Sequence, residues 1–432
     1  MNRHLLDASR INGGDKRDET CQMESGTPNS GLMELLRLRA KEQPESRAFT
    51  FLGLDGEERA SATYRGLDQD ARRIARLLLT DGSPGQRALL LYAPGIEFIS
   101  AFFGCIYAGI IAIPTQAPRI NRSNERLQTI ASDAEPSLVL TTSQILAKQE
   151  RICASAPGLT DLKWLATDQL YTDIEPQRPD PLRERTAITS RRFLNSLNGN
   201  EEPAEPQNGN LVYLQYTSGS TAVPKGVMVS DANVLANCEE LSAGWPTTAE
   251  SVFVTWLPHF HDMGLVYGII QPIYEGRPCY LMSSASFLQR PELWLGAISK
   301  YRATHSGGPN FAYDLCARRA ASMDSTAFDL RSWSVAFSGA EPVRSETIDS
   351  FSRAFNHCGF RKEAFCPGYG LAEATLKVSS SRKDQSPSYV VVDRDFLERG
   401  RVLTPETSGA QSQTLVGCGL PMLDTKIAIV RA

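Results

Sequence analysis

The chain has 432 residues, of which 41% are hydrophobic and 22% charged, with a formal net charge of −4. That length exceeds what one hydrophobic core supports, and the apolar content excludes a disordered chain, so two or more packed subdomains are expected. The slightly acidic balance offers no basic footprint for nucleic acid or an anionic membrane surface, which leaves small-molecule chemistry as the default class.

Residues 1–30 mix Asp, Arg, Asn, Gly and Ser without an apolar run, which reads as a disordered tail and not as a secretory leader. From Leu32 the pattern becomes periodic: MELLRLRAKEQ and YRGLDQDARRIARLLL place apolar residues at helical spacing, and ALLLYAP reads as a buried strand. The charge-free run from Phe98 to Pro118 (FISAFFGCIYAGIIAIPTQAP) has about the length of a bilayer span. Gly104, Gly109 and Pro114 divide it, and no Lys/Arg anchor pattern flanks it, so a buried helix followed by a strand is expected and no membrane span. LVLTT, LVYLQYT, VFVTWLP, CYLMS and SVAFSGA are further β-rich runs, each followed by helical or turn-rich sequence. An interval rich in Pro, Asn, Glu and Gly from Gly199 to Asn210 reads as a linker. The fold class is therefore α/β, with helix-flanked, mainly parallel sheets. Nine cysteines without a CxxC pair fit a reducing compartment, and a cytoplasmic location is expected.

The most informative segment is LVYLQYTSGSTAVPKGVMVS, where a strand from Leu211 to Tyr216 empties into a loop of small hydroxyl and glycine residues ending in Lys225. Such a loop can cradle phosphate: Gly219 and Gly226 permit close backbone approach, Thr217, Ser218, Ser220 and Thr221 supply donors, and Lys225 supplies a point charge. Pro224 precedes the lysine and Gly226 follows it, so the Gly-Lys-Ser/Thr pattern of nucleotide kinases is absent. The bland alternative is a Ser/Gly-rich surface loop. In WLPHFHDMGL the closeness of His259, His261 and Asp262 invites a zinc reading. Only His4, His305 and His357 remain elsewhere and no second His/Cys cluster completes a site, so that reading is rejected; a satisfied core histidine is the competing one.

This loop resembles the signature of the adenylate-forming superfamily, which includes acyl-CoA synthetases, luciferases and the adenylation domains of peptide synthetases. WLPHFHDMGL, SGGPNFAYDLC, FSGAEPV and PGYGLAEATL follow in the order that family shows, and together they resemble its fatty acyl-AMP ligase branch. The resemblance implies ATP and Mg2+ as cofactors, a fatty acid as substrate and an acyl carrier protein as the acceptor of the acyl group. It divides the chain into a first α/β subdomain (31–210), a second carrying the ATP and acyl site (211–378), a family-specific insertion (379–415) that disfavours CoA chemistry, and the start of a small β subdomain (416–432).

In PGYGLAEATL a Tyr369 ring can stack on a purine, Gly370 permits close approach, and Glu373 can hold a hard cation that bridges phosphate oxygens; the resemblance assigns Tyr369 to adenine and Glu373 to the metal. Ala372 stands where most of the superfamily carries Thr, leaving Thr375 to supply a hydroxyl. In FSGAEPV, Gly339, Ala340 and Glu341 end a strand where α/β folds commonly bind nucleotides, and similarity places them beside the adenine. The resemblance sets His261 by the acyl carboxylate and α-phosphate, and makes Lys225, His261 and Glu373 the catalytic set. An apolar tunnel walled by Met263, Leu265, Phe311 and Tyr313 is expected for the acyl tail, with ordinary core packing as the alternative for each.

The chain stops at Ala432 just after LDTKIAIV, with no Thr-Gly-Asp following. The resemblance therefore implies a piece of a longer enzyme, without the ribose-binding Asp, the hinge and the mobile domain carrying a catalytic Lys, and weak or absent adenylation by this chain. Two competing readings stay open. A fatty acyl-CoA ligase would share every phosphate motif and lack the insertion, and a non-catalytic nucleotide- or acyl-binding module would keep the site without the chemistry.

Overall fold

The computed structural model describes residues 31–118, 123–171, 210–217, 224–324, 327–403 and 412–430. The expected tail, the linker up to residue 209, the loop residues 218–223 and residues 404–411 of the insertion lie outside them. The strands, in chain order, are Arg47–Leu52 (β1), Glu58–Thr63 (β2), Arg87–Tyr92 (β3), Ile111–Gln116 (β4), Leu138–Thr141 (β5), Lys163–Ala166 (β6), Leu211–Tyr216 (β7), Gly226–Ser230 (β8), Phe253–Thr255 (β9), Cys279–Met282 (β10), His305–Gly308 (β11), Val335–Ser338 (β12), Phe365–Gly370 (β13), Lys377–Ser380 (β14), Tyr389–Asp393 (β15) and Ser412–Val416 (β16).

Among the described residues one sheet runs β6-β5-β3-β4-β7-β8 and a second runs β14-β13-β12-β11-β9-β10-β1-β2. Neighbours are parallel except at the edges, where β8 returns antiparallel to β7, β2 to β1 and β14 to β13. This is the α/β class that alternating helical and β-rich patterns predict. The sheets do not divide at residue 210. β1 lies before it yet pairs Phe49 with Cys279 in the eight-stranded sheet, and β7 lies after it yet sets Tyr213 beside Ala112 of β4. Composition marks a change along the chain, whereas pairing depends on which apolar faces meet in space.

The charge-free run at Phe98 becomes the helix Ile96–Ala108, stopped by Gly109 in the left-handed conformation (φ 67°), and then β4. Its apolarity serves the core: Phe98, Phe102 and Phe103 are fully buried, and the Phe102 ring meets that of Tyr213 in β7. Among the described residues no helix is long and apolar enough to cross a membrane. A second core, built on Trp294, Tyr313, Trp333 and Phe365, supports β12 and β13 from below. These two cores hold rigid the strand ends from which the site is built.

Across the expected boundary at residue 415, β15 and β16 pair antiparallel from Tyr389 opposite Val416 to Asp393 opposite Ser412, and the helix Arg394–Glu398 follows β15. Lys362 stands 5.1 Å from the Tyr389 ring centre, and Val416 packs against the second core. Beyond residue 416 the described residues contain no strand, only a single bridge between Ser380 and Leu420.

Candidate active site

The loop after β7 is closed at its base by local hydrogen bonds. Thr217 N donates to Lys225 O at 3.2 Å, and Arg126 Nη2 donates to Thr217 O at 3.2 Å and to Tyr216 O at 3.4 Å. Lys225 is exposed, while Ser218, Gly219, Ser220 and Thr221 lie outside the described residues. Arg126 has no counterpart in the sequence reading. It is the second residue of the helix Glu125–Ala134, 91 residues before Thr217, and nothing in its own neighbourhood marks it.

The segment around His261 is tied to the same strand, because Gln215 Nε2 of β7 donates to Phe260 O at 2.8 Å. His259 is buried with its ring centre 4.1 Å from that of Phe98, its Nε2 has no partner, and burial pushes its pKa down to about 3. It is a neutral core histidine. His261 is half-buried, and burial followed by the Arg126 cation hold it below the ordinary imidazole range, so at neutral pH it is an uncharged donor or acceptor. Burial pushes the Asp262 carboxyl above its usual range; its Oδ1 accepts from Met263 N at 2.7 Å, which opposes this, while the Glu373 charge adds to it. Among the described residues no group of three or more His, Cys, Asp or Glu gathers as a metal cluster. Met263–Ile270 is a π-helical segment, a widening common at functional sites. Only glycine fits at 264, since a Cβ there would stand 2.0 Å from Pro258 O.

The ends of β12 and β13 lie side by side, with Ser338 opposite Pro367. Two non-glycine residues there hold positive φ, Ala340 at 65° and Thr375 at 70°. Such conformations cost about 1–3 kcal/mol each and persist where surrounding contacts over-determine them. For Thr375 one such contact is its N–H, which donates to Ala372 O at 2.8 Å. Gly339, Ala340, Tyr369 and Gly370 form one side of a cavity of about 60 Å3, and the Tyr369 ring is 55% exposed. The other side is apolar, with Trp245, Met263, Tyr267, Phe337 and Leu376. Glu373 and Thr375 face a neighbouring cavity of about 270 Å3.

Four of the expected wall or nucleotide residues, Glu341, Leu265, Phe311 and Tyr313, do not line the cavity. Glu341 does not line the cavity; its Oε1 accepts from Phe311 N at 2.6 Å, satisfying a free amide in the first turn of the helix Asn310–Arg319. Leu265 and Tyr313 are fully buried in the two cores, and the Tyr313 hydroxyl donates to Phe337 O at 2.7 Å. Residues two apart on a helical turn face different ways. Met263 thus reaches the cavity while Leu265 does not, and Phe311, exposed beside Trp256 and Phe287, lines the cavity no more than Tyr313, which points into the core. Trp245, Lys377 and Glu240 complete the site and were absent from the sequence reading. Glu240 lies in the helix Asp231–Gly244, Trp245 follows its end, and Lys377 opens β14 one residue past the PGYGLAEATL motif.

The AMP-binding enzyme family matches residues 36–432. Among curated relatives, the medium-chain-fatty-acid–[acyl-carrier-protein] ligase JamA of Moorena producens is 41% identical over 93% of this chain and 65% of its own length. The medium-chain-fatty-acid–[acyl-carrier-protein] ligase TtuA of Teredinibacter turnerae is 32% identical over 92% of this chain and 64% of its own. Among solved structures, the fatty acyl-adenylate ligase from L. pneumophila, crystallised with acyl adenylate and pyrophosphate, superposes with a TM-score of 0.76 at 38% identity, over 90% of this chain and 64% of that one. The chain therefore spans slightly less than two thirds of the length of these proteins. With nearly all of its residues past the first helix turn inside the matched span, the chain belongs to the AMP-binding enzyme family.

Proposed function

We propose that this chain carries the nucleotide and acyl site of an ATP-dependent ligase that converts a medium-chain fatty acid to its acyl-adenylate, releasing pyrophosphate, for transfer to an acyl carrier protein. The observation that carries this reading is the single cavity in which the exposed Tyr369 ring and the open backbone of Gly339, Ala340 and Gly370 meet an apolar wall of Trp245, Met263, Phe337 and Leu376. A fatty acyl-adenylate has the same two halves, a purine nucleotide and an alkyl chain joined through a phosphate. The acid class and the carrier-protein acceptor are supported by the activities for which JamA and TtuA are named.

The reaction brings two anions, a carboxylate and the α-phosphate, into line, so positioning and charge neutralisation dominate. Lys225 stabilises the departing pyrophosphate, and Tyr369 stacks on the base. His261, kept uncharged by burial and by Arg126, donates a hydrogen bond to the carboxylate or phosphate. Magnesium fits the residues present. Glu373 is exposed on a cavity rim with Asp262 near enough to feel its charge, and this cation is held by one or two carboxylates, phosphate oxygens and water. A magnesium ion held there would supply neutralisation of phosphate charge. The β15–β16 segment belongs to the insertion that disfavours CoA chemistry.

The test is mass spectrometry of the complete protein with ATP, magnesium and fatty acids of several lengths, with and without CoA. Acyl-AMP accumulating despite CoA is expected, and acyl-CoA as the main product would overturn the carrier-protein reading. In the same assay Lys225→Ala and Glu373→Gln should each lower kcat/KM about 100-fold or more with an unchanged circular dichroism spectrum. Full activity in both would sink the site assignment.

A further inference from the structure

One helix holds the base of the phosphate loop from outside. Arg126, in the first turn of Glu125–Ala134, donates from Nη2 to Tyr216 O and Thr217 O, and Asp133, in the last turn, accepts from the Tyr216 hydroxyl at 2.5 Å. The two side chains thus grip the last residue of β7 at both ends, one by its backbone and one by its ring. That ring also fills the space beside the other limb of the loop, where a Cβ on Gly226 would stand 2.9 Å from Tyr216 Cζ.

A trans peptide sets its C=O and N–H on opposite sides. With Tyr216 O turned to the guanidinium, Thr217 N faces the other way and reaches Lys225 O, so the arginine fixes, through one residue, the backbone of the lysine that ends the loop. The same contact covers two carbonyl oxygens. Left bare at the mouth of a phosphate-binding loop, their lone pairs would repel a polyanion, whereas under a guanidinium they present a net positive face. Arg126 is exposed, and among the described residues no ion pair engages it, so its charge is not cancelled. Such a contact adds little to stability, since both the donor and the carbonyls could bond water instead; what it supplies is direction.

We propose that Arg126 is a positioning residue for the triphosphate: by holding Tyr216 O and Thr217 O it aims the loop base and Lys225 at the departing pyrophosphate. The proposal rests on the nucleotide half of the acyl-adenylate reading above. It concerns the β- and γ-phosphates and not the adenine or acyl halves, because Gly339, Tyr369 and Met263 line a cavity in which Arg126 takes no part.

Isothermal titration of the full chain with ATP and magnesium and, separately, with a non-hydrolysable hexanoyl-sulfamoyl adenosine, which has no β- or γ-phosphate, tests it. Arg126→Ala should weaken ATP binding about tenfold or more, the worth of one hydrogen bond from a charged donor, and leave the sulfamoyl probe within about twofold of wild type. Asp133→Ala frees the other end of the same helix and should leave ATP binding within about twofold, because it breaks no contact to the loop backbone. Arg126→Lys keeps the charge but not the planar fork, and its smaller loss of ATP affinity carries the test if the alanine variant does not fold. Wild-type ATP affinity in folded Arg126→Ala overturns the proposal. So does an equal loss for ATP and the sulfamoyl probe, or a loss in Asp133→Ala as large as in Arg126→Ala, either of which makes the arginine a support of the fold alone. These outcomes leave the adenylate reading standing. Failure of wild type to bind ATP overturns both, and wild type that binds ATP without the sulfamoyl probe overturns the acyl half of that reading alone.

Discussion

Gly370→Ala is the most direct probe of how the fold builds the site. A Cβ at this position would stand 2.0 Å from Leu376 O and 2.9 Å from Leu376 C, deep inside van der Waals contact, and both atoms belong to backbone that no rotamer change can move. The carbonyl under threat accepts the hydrogen bond from Leu371 N, at 2.9 Å, that closes the turn carrying Glu373 and Thr375. Relief therefore costs that bond, about 1 kcal/mol, and the overpacking strain, about 1–3 kcal/mol more, for a total of about 2–4 kcal/mol. The effect is local, because β12 and β13 stay anchored on the second core. Hydrogen exchange followed by mass spectrometry should show the Leu371 and Thr375 amides exchanging about 30 to 1000 times faster, with the core strands unchanged. Because Tyr369 and Glu373 flank the altered residue, affinity for an acyl-sulfamoyl adenosine should fall about tenfold or more. Wild-type exchange and wild-type affinity in this variant would refute the argument that close backbone approach at Gly370 shapes the site.

Glu240→Ala leaves the Lys377 ammonium buried without its counterion, and should lower stability to urea by about 3 kcal/mol at pH 7. Lys377 titrates near 8 in the folded state and at the usual 10.5 unfolded, so the folded protein gives up its proton first; the penalty should shrink as pH rises through 8, and a deficit independent of pH would count against the pair. His259 provides a separate pH test. Its folded pKa of about 3 lies below the unfolded 6.5, so below pH 6.5 the unfolded state binds the extra proton and wild type loses about 1.4 kcal/mol per pH unit from this group. In the difference between wild type and His259→Asn, measured by urea denaturation from pH 7 to 5, that loss should appear alone. Asp70 and Asp231, both raised to about 6, act in the opposite direction below pH 6 but are common to the two proteins. A flat difference would mean that His259 is not buried neutral.

Much of the fold was legible because its signals are local. The helix and strand after Phe98 follow from a glycine that stops the helix and an apolar run too broken to be a span, and β7 with its loop follows from a β-rich run ending in small residues and a lysine. The cavity residues Gly339, Ala340, Tyr369 and Gly370 could be named because each stands at a strand end, where a parallel sheet exposes its backbone. Direction within a helix was harder: Met263 and Leu265 have the same chemistry in the sequence, and only the turn of the π-helical segment decides which one meets the cavity. Contacts across long stretches of chain were not legible at all. Lys377 meets a glutamate 137 residues earlier, and Arg126 meets a loop 91 residues later. Such pairs have no periodicity or motif to announce them, because they arise only when the helix Asp231–Gly244 packs on β14 and the helix Glu125–Ala134 packs beside β7. The sequence by itself determined the class of fold and the strand ends on which the cavity lies, through spacing and small residues read one segment at a time. The tertiary structure alone decided where the cavity ends and which charges stand around it, because those depend on side chains that folding brings out of water and into contact.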